Sequence, residues 1–171
     1  DAHSVFPSHN KDIYDEIIVV PQSVTFAGGT YSVTSIESNA FQHCKDLQHL
    51  IIPKTISNIA NNAFNYCNSL SSIEVSNENS FYCSDNGILF SKDKSTIIKY
   101  PANKGSYEYT IPNSVHTIAD NAFEFNKTLL SINCPDSLKC IGRSAFQNSV
   151  VSNVYMSNNI STIGDFSFAF C

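Results

Sequence analysis

The sequence predicts a solenoid of short, mostly parallel β-strands joined by turns, with few helices, on three observations. An Ala-Phe pair recurs with its phenylalanine at Phe41, Phe64, Phe123 and Phe146, and a Ser-Phe pair continues the series at Phe168, in steps of 23, 59, 23 and 22. An isoleucine five residues earlier keeps the same steps at Ile36, Ile59, Ile118, Ile141 and Ile163. No stretch sustains helical periodicity over several turns. Self-similarity at a fixed period of about 20–50 residues marks a stack of like units, each of which buries its apolar side only against its neighbours.

Composition agrees with such a stack and excludes other classes. The 171 residues, 18.9 kDa, suffice for one domain with a continuous core. Net charge is −5 with no basic run, unlike the positive face of a nucleic-acid binder. Hydrophobic residues make up 42%, too many for a disordered chain. The longest apolar run, Ile17 to Val20, is far too short to cross a bilayer. Charged residues are only 15%, and Ser and Asn take over the solvation of the surface. Residues 1–16 lack the repeat and any signal-peptide pattern. They are expected to cap the repeat domain, 17–171, or to be flexible.

The units can be read strand by strand. Inward apolar positions are Leu47, Leu50 and Ile52; Leu70, Ile73 and Val75; Leu129, Ile132 and Cys134; Val151, Val154 and Met156. Pro53, Pro112 and Pro135 end their strands, because proline cannot donate to a continuing ladder. A period of 23 falls within the range of leucine-rich repeats, about 20–29 residues. The step of 59 equals 23 plus 36, so one long irregular coil, about 77–110, lies inside the series. Its Asn86-Gly87 and Ser91-to-Lys94 segments have the chemistry of two hairpin turns. The chain stops midway through a unit after Phe166-Ser-Phe-Ala-Phe170, from which truncation or self-association at that end is expected.

The pattern IP.sV..I...AF..C..L..I.IP, from roughly Ile17 onward, resembles the BspA-like leucine-rich repeat proteins. The resemblance implies a repeat solenoid, a family variant unit at the irregular coil and an entry hairpin turning at Gly28-Gly29. Asn126 and Ser149 stand where the repeat has cysteine, and Cys134 where it has a strand isoleucine.

Most chemically capable residues read as structural. The phenylalanine column is expected to form a stacked spine through the core. Cys44, Cys67 and Cys171, three residues after the spine position, are expected to turn inward as small hydrophobes with free thiols, Asn126 doing the same work in its own coil. Cys140 is expected to be surface-exposed and the most reactive thiol. His3, His9, His43, His49 and His116 share no ligand spacing, so no metal is expected. His43-Cys44 lacks an orienting group for nucleophilic catalysis. Asp85-Asn86-Gly87 lacks the later ligands of a calcium loop. No nucleophile-elbow, phosphate-loop or dinucleotide fingerprint occurs, and no enzyme activity or cofactor is expected.

The surface is then the working part. Outward strand positions are mostly Ser and Asn, and the residues expected to bind a partner are Ile51, Glu74, Leu130, Asn133 and Tyr155. Tyr82, Tyr100, Tyr107 and Tyr109 of the irregular coil form an alternative site. Of two glycosylation sequons, at Asn126 and Asn159, the second is expected to face solvent. The resemblance implies a secreted or cell-surface adhesion module whose partner is a host-cell protein, a matrix protein or another microbe. The alternative is an intracellular protein-interaction scaffold.

Overall fold

The computed structural model describes residues 16–171, which form sixteen short strands and, among the described residues, no helix. β1 (Ile17–Val19) is followed by a hairpin of β2 (Ser23–Phe26) and β3 (Gly29–Ser32), then β4 (Ser35–Ile36), β5 (His49–Ile52), β6 (Asn58–Ile59) and β7 (Ser72–Val75). The irregular coil contributes β8 (Tyr82–Asp85), β9 (Ile88–Ser91) and β10 (Thr96–Lys99). Regular coils resume with β11 (Glu108–Thr110), β12 (Thr117–Ile118), β13 (Ser131–Asn133), β14 (Cys140–Ile141), β15 (Asn153–Tyr155) and β16 (Thr162–Ile163).

Each regular coil places one strand on each of two faces. The first face carries two parallel sheets, β1-β5-β7 and β11-β13-β15. The second carries β4-β6, and a sheet in which β10, β12, β14 and β16 run parallel while β9 and β8 add on antiparallel. Leu50 pairs with Ile73, a separation of one period, 23 residues. Ile18 pairs with Leu50, a separation of 32, because the β2–β3 hairpin adds nine residues to the first coil.

The repeated Ala-Phe turn has a backbone reason. The residue two after the spine position is left-handed in every regular coil: His43, Tyr66, Phe125, Asn148 and Phe170, with φ between 57 and 63°. That conformation is unfavourable for residues with a side chain, so the surrounding structure must hold it. Bonds between coils do so, from His43 N to Asn65 O (3.1 Å), Phe125 N to Gln147 O (3.0 Å) and Asn148 N to Ala169 O (3.0 Å). One step inward, Phe41 N donates to Ala63 O at 2.9 Å and Phe123 N to Ala145 O at 2.7 Å.

The hairpins of the irregular coil run edgewise through the solenoid and divide its interior into two cores. One contains Phe41, Leu50, Phe64, Ile73 and Leu89; the other contains Ile88, Phe90, Ile97, Tyr100, Phe123 and Phe146. β9 is buried along both faces, and its neighbours split likewise, Tyr82 and Ile98 toward the first core and Cys83 and Ile97 toward the second.

Three expectations need correction. The phenylalanine spine is two stacks. Phe41 lies on Phe64 with ring centroids 5.9 Å apart, whereas Phe123, Phe146 and Phe168 continue from Tyr100 at 4.9, 4.8 and 5.0 Å. Tyr100 stands 23 residues before Phe123 and takes the spine position of the irregular coil. The first hairpin turns at Ala27-Gly28 (φ 48 and 81°), with Gly29 already paired to Phe26; a two-residue turn with both φ positive matches the twist of the strands. Met156 is 41% exposed, because its coil has a neighbour on one side only among the described residues.

Candidate functional site: the strand face

Register decides which outward residues meet. On the first face, Val19, Ile51 and Glu74 form one cross-strand row, and Thr110, Asn133 and Tyr155 form another. Of the five residues expected to bind a partner, Ile51 therefore neighbours Glu74, and Asn133 neighbours Tyr155. Leu130 lies just before β13, linked to the preceding coil by its N–H bond to Tyr107 O at 2.8 Å. The two groups belong to separate sheets. The Asn86-Gly87 turn closes on β7, where Gly87 O accepts from Ile73 N at 2.9 Å.

The second group is the better-developed patch. Tyr107, Leu130 and Tyr155 are 72, 45 and 60% exposed. The Asn133 amide Nδ2 donates to Glu108 Oε1 at 2.8 Å and to Thr110 Oγ1 at 3.3 Å, which fixes the polar floor beside the Tyr155 ring. Large rigid side chains within a hydrogen-bonding polar setting are the composition of a protein-recognition surface. Near the other group, Val19 and Ile17 are exposed at 61 and 53%. They escaped the sequence reading because β1 lies off the 23-residue period.

The four tyrosines of the irregular coil do not come together as an alternative site. Tyr100 is buried and stacked in the spine, and Tyr109 packs against Tyr100 and Phe123. The half-buried Tyr82 accepts a bond at its hydroxyl from Ile59 N at 3.1 Å, capping the end of the β4–β6 sheet. Only Tyr107 of the four is exposed, and it belongs to the strand face. Asp85 is occupied by Lys94 Nζ at 2.7 Å. Hydrogen bonds from Ser95 N and the Ser91 and Ser95 hydroxyls hold the Asp93 carboxyl down to about 2.

The cysteine column serves the backbone. Cys67 Sγ donates to Phe41 O at 2.9 Å and Cys171 Sγ to Phe146 O at 3.2 Å. Asn126, wholly buried, does more: Nδ2 donates to Pro101 O at 3.1 Å, and Oδ1 accepts from Thr128 N and Leu129 N at 3.1 and 2.7 Å. Asn79 performs the same task for Pro53 and Ile56, which the repeat arithmetic did not show because it lies in the irregular coil. All six thiols are free. Burial pushes the Cys67 thiol up to about 12 and raises that of Cys44, so neither is poised as a thiolate. His43 does not address Cys44; its ring stacks on Tyr66 at 4.5 Å. Cys140 is half-buried, flanked across the sheet by Thr117 and Thr162, and Cys171 rather than Cys140 is the exposed cysteine.

A second aromatic column, His43–Tyr66–Phe125, runs along the turns outside the core, Tyr66 and Phe125 meeting at 4.5 Å. Its members stand two residues after Phe41, Phe64 and Phe123, a signal that was readable in the sequence. Among the described residues, no group of three or more His, Cys, Asp or Glu could hold a metal ion, and no helix is long and apolar enough to cross a membrane.

The chain shares this architecture with solved bacterial proteins. A leucine-rich repeat protein from Eubacterium ventriosum is 29% identical, with a TM-score of 0.73 over 77% of this chain and 35% of its own. A leucine-rich cell surface protein from Faecalibacterium prausnitzii is 25% identical, with a TM-score of 0.71 over 91% of this chain and 45% of its own. The pneumococcal vaccine antigen PcpA, 15% identical, shares the fold with a TM-score of 0.63 over 86% of this chain and 68% of its own. The chain thus spans less than half the length of the first two. No curated protein matches it. The model of the BspA-type leucine-rich repeat region matches residues 22–105 and 101–171, in six copies. With that pattern running through nearly every described coil, the chain belongs to the BspA-type leucine-rich repeat family.

Proposed function

We propose that this chain is a non-enzymatic, protein-binding module displayed at a cell surface, which adheres to host cells, matrix proteins or other microbes through its strand face. The observation that carries this reading is the Tyr107, Leu130, Asn133 and Tyr155 patch. It sets exposed aromatic and aliphatic anchors on a floor ordered by the Asn133 bonds. The family has a non-catalytic repeat fold, and the Faecalibacterium prausnitzii neighbour is described as a cell surface protein. Both support display and binding over chemistry.

The test is binding of the purified chain to epithelial cells and immobilised matrix proteins, beside a folded Glu74→Arg/Tyr155→Ala variant. Saturable binding that the variant loses supports the strand face; binding that it retains removes the strand face as the site. The six free thiols favour a second reading, an intracellular scaffold, because reducing compartments keep cysteines unpaired. Absence of any binding at micromolar concentration counts against adhesion by these repeats and favours either that reading or binding through repeats other than these.

A further inference from the structure

The irregular coil is short on the side where the regular coils make their Ala-Phe turns. Tyr100 N donates to Ala122 O at 2.8 Å in the spine position, but the chain then returns through Pro101 and Ala102, and Asn103 N donates to Leu70 O at 2.8 Å. No outward turn is made there. The turn at 61–66 therefore faces the turn at 120–125 directly. Asn61 Nδ2 donates to Asp120 Oδ2 at 3.4 Å, and the Tyr66 ring meets Phe125. Along this junction lies an open groove of about 490 Å³.

The lining of the groove is chemically specific. Asn62, Asn65 and Gln147 supply planar amides, Arg143 a guanidinium, and Tyr66 an aromatic ring held between His43 and Phe125. Glu124 lines the same groove although it is only 6% exposed, and its Oε2 has no hydrogen-bond partner. Asn65 Oδ1 is buried and unpartnered as well. Unmatched acceptors beneath a rim of amides that both donate and accept, and of a guanidinium that donates, call for a ligand rich in hydroxyls. The faces of the Tyr66 ring lie against His43 and Phe125, so its edge forms a wall of the groove and bounds the ligand laterally. The Asp120 and Glu124 carboxylates disfavour a phosphate. The Lys99 ammonium, bonded to Asn121 O at 2.8 Å and acting electrostatically on Glu124, disfavours a metal cation. We propose that this groove is a saccharide-binding site, separate from the strand face.

The probe is an immobilised panel of oligosaccharides screened with the whole chain, followed by titration of the best-bound member. Tyr66→Ala, which removes a wall of the groove, and Gln147→Ala, which removes an amide from its rim, are expected to weaken that binding by about tenfold or more each. Tyr155→Ala on the strand face is expected to leave it unchanged, so loss of adhesion to protein and loss of saccharide binding can be told apart. If Tyr66→Ala disturbs its aromatic column enough to unfold the chain, Gln147→Ala and Arg143→Ala, both at the rim, carry the test. Failure of every oligosaccharide to bind, or equal affinity for wild type and rim variants, overturns the proposal.

Discussion

Leu89 and Phe90 are neighbours in β9, and their side chains lie in different hydrophobic cores. A strand with one solvated face alternates apolar and polar residues; Ile88-Leu89-Phe90 is apolar throughout because β9 is the partition between two halves of the solenoid. Each half extends its own core to one side of the same strand.

Truncation of the partition should therefore loosen different halves. Leu89→Ala is expected to cost about 2–5 kcal/mol and Phe90→Ala about 3–5 kcal/mol, as for other fully buried side chains. Amide hydrogen exchange should rise chiefly in β5 and β7 for the first variant and in β12 and β13 for the second. If both variants loosened the same amides, the division into two cores would be wrong.

The spine predicts a gradient. Phe123 is fully buried and stacked on both sides, by Tyr100 and Phe146, whereas Phe168 is half-buried and stacked on one. Phe123→Ala is expected to cost about 3–5 kcal/mol by denaturant unfolding, and Phe168→Ala clearly less. Equal losses would mean that burial in the column does not set its energetics.

How much of this was readable follows from periodicity. Ile59, Phe64, Ile118 and Phe123 announced their roles because repetition ties one position to one environment. The partition did not announce itself. Alternation arguments assume a solvated face, which β9 lacks, and the offset of β1 from the period hid Val19. Tyr100 stood at the expected spacing before Phe123, but without the Ala-Phe pair that marked the column. On the candidate face, pairs such as Ile51 with Glu74 follow from register alone. The gap between them and Asn133 depends on where the Asn86-Gly87 turn docks, which no local pattern encodes.

Asn126 tests the idea that the cysteine column exists to satisfy backbone groups. Asn126→Ala removes a donor from Pro101 O and an acceptor from Thr128 N and Leu129 N in a fully buried site. Each orphaned group costs about 1–3 kcal/mol, so a loss of at least about 2 kcal/mol is expected. Asn126→Cys, which keeps a donor placed as Cys67 places its own, should be less damaging than Asn126→Ala. A shift in denaturation midpoint that ranks the two variants the other way would refute the assignment.

Lys99 makes stability depend on pH in the alkaline range. It is 3% exposed, and burial lowers its ammonium to about 8, partly offset by the attraction of Glu124. Between about pH 8 and its ordinary value of 10.5, the unfolded chain holds a proton that the folded chain has released. Stability contributed at this site therefore rises with pH across that window, and the penalty of burying the charge, roughly 3 kcal/mol, is fully present below it. Other groups titrate there too, so the comparison is between Glu124→Gln and Glu124→Gln/Lys99→Met. The double variant is expected to be the more stable at pH 7, with the difference shrinking toward pH 10. A difference independent of pH would show that Lys99 keeps an ordinary ammonium.

The two sequons are separated by burial. Asn126 is enclosed with its amide nitrogen bonded to Pro101 O, whereas Asn159 is exposed and its Nδ2 donates only to Asp136 O, at 3.0 Å. An oligosaccharyl group needs a free amide nitrogen and open space around it, and a single surface bond is readily exchanged for one with water. Expression through a eukaryotic secretory pathway is therefore expected to add one N-linked glycan, which a peptide-N-glycosidase removes and Asn159→Gln abolishes. Mass spectrometry of the intact chain reads the outcome directly. A glycan at Asn126 in a folded, monodisperse product would contradict the buried position given to that side chain, and an unmodified Asn159 would show that its turn is not accessible to the transferase.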